Sequence, residues 1–340
     1  MAARVDRLAR EEEHVATPRA LALLLVGAAL VVLAVNALAV RLSPASERTF
    51  DGMVVEKKWK LAGEGAPDGG VVVIGDSSGN FGVDAAVLSK AMGGPAINLC
   101  AYGRFQVSGA AWFLDEALRA GGAPATVVVV LGSRTFVLDP GGAELAQVPI
   151  APFEWSSRLP HAGLDAGRAA AFLRARTVPL LDQAPSFKAS ALSGHWRVDP
   201  AVLRIEPEGT TRLPRPYPKG VALYAARVLD ELAAFEGPVP SERERRAVRG
   251  LVADAEERGY DLVFVDGPIW EGLATEPEHV AFLERIHEFL DEACAGSERA
   301  RRLDVPLQTF PAAELENPYH LVEDAAVRFT ARLADQLEGR

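Results

Sequence analysis

The chain has 340 residues, of which 49% are hydrophobic and 24% are charged, and its formal net charge is -10 at pH 7. A hydrophobic share of this size supports a folded core and excludes an intrinsically disordered chain. The acidic balance leaves no excess of basic side chains for a phosphate backbone, so the composition argues against nucleic-acid binding.

A long apolar segment near the amino terminus is the first predicted element. Residues 20–40 are apolar apart from Asn36 and are bounded by Arg19 and Arg41. About 20 apolar residues in a helix span the hydrocarbon core of a bilayer. Ala37-Leu38-Ala39 resembles a signal-peptidase site, but the apolar run is longer than the hydrophobic region of a signal peptide, so we favour an uncleaved membrane anchor.

The anchor divides the chain into three further parts. Residues 1–19 are expected on the cytoplasmic side, residues 41–70 contain turn-forming Gly and Pro and suit a tether, and residues 71–340 form the main domain. Lys and Arg flank the anchor on both sides and do not decide its orientation. Because a long domain after a first membrane helix is translocated largely regardless of its charge, we expect the domain outside the cytoplasmic (inner) membrane.

Strands and helices alternate along the main domain. The strands are predicted at 71–75, 96–99, 126–131, 262–265 and 302–305, and the helices at 83–92, 106–120, 165–176, 221–235, 241–258, 276–294 and 321–337. This alternation predicts a three-layer, doubly wound α/β domain whose parallel sheet has about five strands in the flavodoxin-like order 2-1-3-4-5. A proline-rich insertion at 133–218, with Trp155 and Trp196, is expected to form part of a wall or lid over Ser77.

The first predicted strand ends in Gly75-Asp76-Ser77-Ser78-Gly79, which places a serine beyond the carboxyl end of the strand. Open parallel sheets carry their ligand sites at this edge. The pentad fits the Gly-x-Ser-x-Gly elbow of α/β-hydrolases and the Gly-Asp-Ser block of SGNH (GDSL) hydrolases, and it is also ordinary turn sequence. The α/β-hydrolase elbow follows several strands, whereas Ser77 follows the first strand of the domain, as in SGNH proteins.

A second motif, Asn317-Pro318-Tyr319-His320-Leu321, precedes the last helix and resembles the Asp-x-x-His block of SGNH hydrolases. Val265-Asp266-Gly267-Pro268 and the final helix are similar to those of membrane-anchored SGNH-like proteins of envelope O-acylation, such as alginate O-acetylation proteins and the teichoic-acid D-alanyl transfer protein. The resemblance implies that Ser77 attacks an ester carbonyl and that His320 takes and returns the proton. It also implies that Gly103 supplies a backbone N–H to an oxyanion hole.

Two positions depart from the pattern of this family. Arg134 stands where the family has an oxyanion asparagine, and Asn317 stands where it has the aspartate. A guanidinium can bind an oxyanion or an anionic substrate group, and Asp76 is a further candidate for the substrate side of the site. An asparagine can orient an imidazole but does not stabilise the imidazolium by charge.

Three states of the site follow from these departures. It works as a Ser-His dyad, or a nearby carboxylate such as Glu316 or Asp324 replaces the missing acid, or the site is inactive. The first hypothesis for the function is an active enzyme. It is a membrane-anchored extracytoplasmic serine esterase or O-acyltransferase that acts on acetyl-like esters of envelope or exported polysaccharide. The alternative is a catalytically degenerate protein that binds glycan or serves as a scaffold in an acylation system.

The expected partners are the membrane, an acylated glycan or small ester, and a membrane-bound O-acyltransferase. A dinucleotide-binding function is disfavoured because Gly75, Gly79 and Gly82 do not have the Gly-x-Gly-x-x-Gly spacing.

No cofactor or metal site is expected. Cys100 and Cys294 are the only cysteines, and neither has a Cys or His neighbour at a ligand spacing. Their positions are compatible with one disulfide or with two buried free thiols. His279 and His287 share a predicted helix and are expected at its surface rather than as ligands.

Overall fold

The computed structural model describes residues 18–42, 50–137, 148, 166–178, 204–213 and 215–339. The helices are α1 (Pro18–Leu42), α2 (Phe50–Gly63), α3 (Ser77–Gly82), α4 (Ala85–Met92), α5 (Gln106–Ala120), α6 (Ala166–Thr177), α7 (Pro218–Ala233), α8 (Glu242–Arg258), α9 (Glu271–Ala274), α10 (Pro277–Cys294) and α11 (Glu323–Leu337). The strands are β1 (Val71–Gly75), β2 (Ala96–Asn98), β3 (Thr126–Leu131), β4 (Arg204–Ile205), β5 (Thr211–Arg212), β6 (Asp261–Asp266), β7 (Ile269–Trp270), β8 (Ala300–Arg302), β9 (Thr309–Phe310), β10 (Leu315–Asn317) and β11 (His320–Leu321).

Helix α1 has the length and composition of a membrane span. Its segment Pro18–Asn36 is the one helix in the described part of the chain that is long and apolar enough to cross a bilayer. Leu23 and Leu24 expose 73% and 68% of their surface, so the apolar side chains of this helix do not pack into the protein core. A signal sequence at the amino terminus shares these properties.

Five parallel strands form the central sheet, in the order β2-β1-β3-β6-β8. The predicted mixed α/β domain with a five-stranded parallel sheet is therefore confirmed. The three inner strands have continuous apolar and buried centres, as expected for parallel strands that are covered on both faces. The last strand lies two residues earlier than predicted.

Alternate residues of the central strands enter two separate cores, because successive side chains of a strand point to opposite faces. Val72 and Ile74 of β1 enter the larger core, together with residues of α5, α8 and α10. Val71 and Val73 enter the smaller core, with residues of α4 and α11. A register slip of one residue would exchange the two sets, so the pairing of β1 is strongly specified.

Helix α2 corrects the prediction of a tether over 41–70. Val54, Val55 and Ala62 are buried, and the ring of Trp59 lies edge-on to that of Phe113 on α5 with a centroid distance of 5.6 Å. The described residues of this segment from Phe50 to Gly63 are thus packed on the domain and do not act as a spacer.

Lys58 on α2 is fully buried and links α2 to the sheet. Its Nζ donates to the backbone carbonyl of Asn98 on β2 at 2.7 Å and to that of Gly209. Gly209 lies in the β4–β5 hairpin, and the Asn98 N–H in turn donates to the carbonyl of Glu208 at 2.9 Å. This hairpin therefore lies along the β2 edge. Trp155 and Trp196 of the insertion lie outside the described residues, so its role as a wall or lid stays a prediction.

Both cysteines are buried free thiols. Burial raises the pKa of Cys294 to about 11. Of the two arrangements left open by the sequence, the structure therefore has the free thiols.

We predict that Lys58 makes the stability of the protein rise with pH above neutrality. Burial lowers the pKa of Lys58 from 10.5 to about 7, so the unfolded chain binds this proton more tightly than the folded protein between these values. The free energy of unfolding therefore increases across this window. Lys58→Met should remove the increase, measured by chemical denaturation of the full chain at about pH 7.5 and about pH 9.5.

Lys57 provides the matched control, since it precedes Lys58 on α2 and is exposed. Lys57→Met should keep the wild-type pH dependence. Identical pH dependence of the wild type and Lys58→Met would contradict the prediction.

Candidate active site

Ser77 begins helix α3 directly after the carboxyl end of β1, with Asp76 as the N-cap residue. The turn requires glycine at position 75, where φ is +143° and a Cβ atom would lie 1.9 Å from the carbonyl oxygen of Val130. Ser77 is partly buried and lines an open cleft. The serine is thus presented at the carboxyl edge of the sheet.

The cleft brings together all the candidate site residues from distant parts of the chain. Its lining residues are Asp76, Ser77, Ser78, Gly103, Gly132, Arg134, Thr135, Tyr224, Asn317, Tyr319 and His320. The six candidates come from the turns after β1, β2 and β3 and from the β10–β11 hairpin. Tyr224 and Tyr319 were not predicted.

His320 lies on β11, which pairs antiparallel with β10. Its ring packs on Phe81 of α3 with a centroid distance of 4.3 Å, so the imidazole rests against the helix that Ser77 begins. Its Nδ1 lies 2.6 Å from Nδ2 of Asn317 and 3.2 Å from Oε2 of Glu316. Nε2 is the ring nitrogen on the other side of the imidazole, which can accept the proton of a serine hydroxyl.

Asn317 presents its amide nitrogen to the histidine. The Tyr319 N–H donates to Oδ1 of Asn317 at 2.9 Å, and Nδ2 donates to Oε2 of Glu316 at 3.1 Å. The hydrogen bond with His320 lowers the pKa of Glu316, although partial burial opposes this effect. The structure thus places a hydrogen-bond donor at the position where the resemblance implies an acceptor.

The carboxylate of Asp76 is buried and accepts four hydrogen bonds. Oδ1 accepts from the N–H of Ser78 at 2.7 Å and from its hydroxyl, and Oδ2 accepts from the N–H of Gly132 at 2.7 Å and from the hydroxyl of Thr135. The carboxylate therefore joins the turn after β1 to the turn after β3. This arrangement favours a positioning role for Asp76 over direct contact with a substrate.

The guanidinium of Arg134 is directed toward helix α7. It binds the carboxylate of Glu231 in bidentate fashion, with N–O distances of 2.7 and 3.0 Å, and donates to the hydroxyl of Tyr224. The Arg134 hydrogen bond lowers the pKa of Glu231. Arg134 therefore ties the rim of the cleft to α7, and an oxyanion role for this residue competes with its ion pair.

Gly103 begins a short 3-10 turn, Gly103–Phe105, that leads into α5. The following residue, Gln106, has a φ of +55°, which is uncommon for a residue with a side chain. The fully buried carboxylate of Glu244 on α8 accepts from the N–H of Val107 at 2.7 Å and from the hydroxyl of Ser108 at 3.0 Å. These bonds fix the start of α5 and therefore the turn that contains Gly103.

A buried hydrogen-bonded chain behind the cleft was not predicted. The hydroxyl of Tyr319 lies 3.0 Å from Oγ of Ser133, which lies 2.8 Å from Nε2 of His279. His279 is fully buried, which corrects the expectation that it lies at the surface, and burial lowers its pKa to about 4. Its spacing from Phe282 and Leu283 places it on the apolar face of α10, a signal that could have revealed the burial.

No protein-family model matches the chain, and no curated protein matches it. Within the described ranges, no group of three or more His, Cys, Asp or Glu side chains is placed to hold a metal ion. The assignment of a function therefore depends on the geometry of the cleft.

We predict that Asp76→Asn lowers the free energy of unfolding by about 2–4 kcal/mol, because the new amide group faces donors that now bind a carboxylate. Chemical denaturation measures this loss. Ser77→Ala at the adjacent position should change the stability by less than about 0.5 kcal/mol. Equal stability of the two variants would show that the Asp76 carboxylate does not hold the two turns together.

Proposed function

We propose that the protein is a membrane-anchored serine esterase or O-acyltransferase, with Ser77 as the nucleophile and His320 as the base. One observation carries the proposal: Ser77 and His320 line the same cleft, and the ring of His320 packs on the helix that Ser77 begins. A serine activated by a neighbouring imidazole is the arrangement that acyl transfer requires.

The proposed reaction proceeds through an acyl-enzyme. Nε2 of His320 accepts the hydroxyl proton of Ser77 as Oγ attacks the ester carbonyl. The N–H groups of Ser77 and Gly103 stabilise the oxyanion, and the imidazolium then returns the proton to the leaving alcohol. Water or a sugar hydroxyl accepts the acyl group from Ser77 in the second half of the reaction, with His320 again as the base.

The proposal includes a three-layer, flavodoxin-like domain of the SGNH type. The strand order and the two cores on opposite faces of the sheet support this fold. Helix α1 anchors the domain in the inner membrane, with the cleft on the extracytoplasmic side. Acetyl-like esters of envelope or exported polysaccharide are then the substrate class, and a membrane-bound O-acyltransferase is the partner that supplies or receives the acyl group.

A second candidate function is a non-catalytic glycan-binding or scaffold protein. The close contact between Nδ2 of Asn317 and Nδ1 of His320 favours it, because an amide that donates to Nδ1 places the ring proton on Nε2. Such a histidine does not accept the proton of Ser77. The ion pair of Arg134 with Glu231 also favours a structural role for Arg134, which stands where the family has an oxyanion asparagine.

We predict that a fluorophosphonate probe labels the full-length protein at Ser77. The reason is that the probe reacts with a hydroxyl activated by an imidazole and leaves ordinary serines unmodified. Ser77→Ala should abolish labelling, and His320→Ala should slow it by at least about 10²-fold. Mass spectrometry of the labelled peptide identifies the modified residue.

Ser89→Ala on α4 is the control, because Ser89 does not line the cleft. This variant should keep the labelling. An unlabelled wild type, or equal labelling of Ser77→Ala, would reject the catalytic proposal and leave the glycan-binding function.

A further inference from the structure

Two tyrosines outside the proposed mechanism line the cleft. Tyr224 comes from α7 and Tyr319 from the β10–β11 hairpin. Burial raises the pKa of Tyr319, and the nearby Asp76 and Tyr224 add to this effect. The two phenol groups therefore lie near each other and near the residue that precedes Ser77.

Arg134 decides the direction of the Tyr224 hydroxyl. Nη1 of Arg134 donates to the hydroxyl oxygen of Tyr224. A guanidinium has hydrogen-bond donors and no acceptor, so the hydrogen of this hydroxyl is directed away from Arg134. Among the described residues, the Tyr224 hydroxyl has no second hydrogen-bond partner. Its hydrogen is therefore available to a ligand of the cleft.

His279 decides the direction of the Tyr319 hydroxyl, through Ser133. Its imidazole is fully buried, and burial lowers its pKa to about 4, so at neutral pH the ring carries a proton on one nitrogen only. Nε2 lies 2.8 Å from Oγ of Ser133, whereas Nδ1 is buried and has no hydrogen-bond partner in the described part of the chain. A buried N–H without an acceptor is rarer than a buried acceptor without a donor, so the ring proton belongs on Nε2.

The donors of this buried chain then run toward the cleft. Nε2 of His279 donates to Oγ of Ser133, and the hydroxyl of Ser133 donates to the oxygen of Tyr319 at 3.0 Å. The reverse direction between the two hydroxyls would leave the hydrogen of Ser133 buried without an acceptor. The hydrogen of the Tyr319 hydroxyl is therefore also available to a ligand, and the raised pKa of this phenol keeps it protonated at neutral pH.

The polar groups that this wall leaves open suit an acceptor oxygen of the ligand. Asp76 carries the one carboxylate among the described residues that line the cleft, and its oxygens already accept four hydrogen bonds. The guanidinium of Arg134 binds Glu231. The two phenol hydrogens thus face the cleft without a protein acceptor, and such donors bind a carbonyl oxygen or the oxyanion that forms from it.

We propose that Tyr224 and Tyr319 are catalytic donors that bind the carbonyl oxygen of the ester and stabilise its oxyanion. They supply the donor that is missing where Arg134 replaces an asparagine, and they act together with the N–H groups of Ser77 and Gly103. Arg134 is then a positioning residue that acts through Tyr224. This inference rests on the proposed function.

Hydrolysis of para-nitrophenyl acetate and of its thiono analogue, in which sulfur replaces the carbonyl oxygen, tests the proposal. Sulfur accepts hydrogen bonds weakly, so the wild type should prefer the oxygen ester. Tyr224→Phe and Tyr319→Phe should each lower kcat for the oxygen ester by about 10²-fold, because each variant loses one oxyanion donor. Each should also lower the preference for the oxygen ester by at least about 10-fold. This preference is a ratio of two kcat/KM values, so it does not depend on the fraction of folded protein.

Tyr217→Phe is the matched control, since Tyr217 precedes the same helix α7, is exposed and does not line the cleft. It should keep both the rate and the preference of the wild type. The tautomer of His279 gives a second readout that does not depend on catalysis. In ¹⁵N NMR of the full chain labelled with ¹⁵N-histidine and assigned with His279→Gln, the His279 ring should show the Nε2–H form.

The outcomes separate this inference from the proposed function. In an enzyme that hydrolyses the ester and is labelled at Ser77, an unchanged preference in either tyrosine variant would overturn the donor pair and leave the proposed function intact. The Nδ1–H form of His279 would do the same, because the Tyr319 hydroxyl would then donate to Ser133. A wild type without labelling or ester hydrolysis would reject the proposed function and this inference with it.

Discussion

The buried carboxylate of Asp76 is the interaction on which the geometry of the cleft depends. β1 and β3 are neighbours, with Gly75 paired to Val130, so the turns that follow them lie side by side. Asp76 lies in the turn after β1 and accepts from donors in the first turn of α3 and in the turn after β3. A buried carboxylate is costly unless it is fully hydrogen-bonded, so these bonds fix both turns at the same time. Because Ser77 is the next residue, the direction of its side chain is set by the same contacts.

Other buried polar groups extend this support away from the cleft. Nδ2 of Asn98 donates to the carbonyls of Gly79 and Val83, at 3.0 and 2.8 Å, and thus holds the carboxyl end of α3. Oδ1 of the same asparagine accepts from Lys58 at 3.3 Å. Helix α3 is therefore held by Asp76 at one end and by Asn98 at the other. Lys58 thus connects α2, through Asn98, to the helix that begins with Ser77. Helix α2 therefore helps to fix the shape of the site.

The strands of the sheet were predictable because short runs of Val and Ile, such as residues 71–74 and 127–130, are typical of buried strands. Helix α5 was predicted with its observed bounds from its apolar periodicity. Helix α2 was missed because one of its buried positions is Lys58, and lysine is among the residues least often fully buried. The displaced start of β8 has a similar cause. Its residues Ala300–Arg302 are mostly polar, so the apolar pattern marked the segment after it.

The position of Ser77 was predictable because the turns after parallel strands share one edge of the sheet. His320 was expected at the same site from the resemblance of its motif to an Asp-x-x-His block. Which of Asn317, Glu316 and Asp324 would contact His320 was not predictable, because the contacts depend on a backbone irregularity in a hairpin of two short strands. In a regular strand, Glu316 and Asn317 would face opposite sides, and the residue at 317 alone would decide whether the histidine had an acid. With the bulge, the amide of Asn317 turns its oxygen to the backbone and its nitrogen to Glu316. The contacts of Nδ1, on which the tautomer of His320 depends, are therefore set by the shape of the hairpin as well as by the residue that the motif places at position 317.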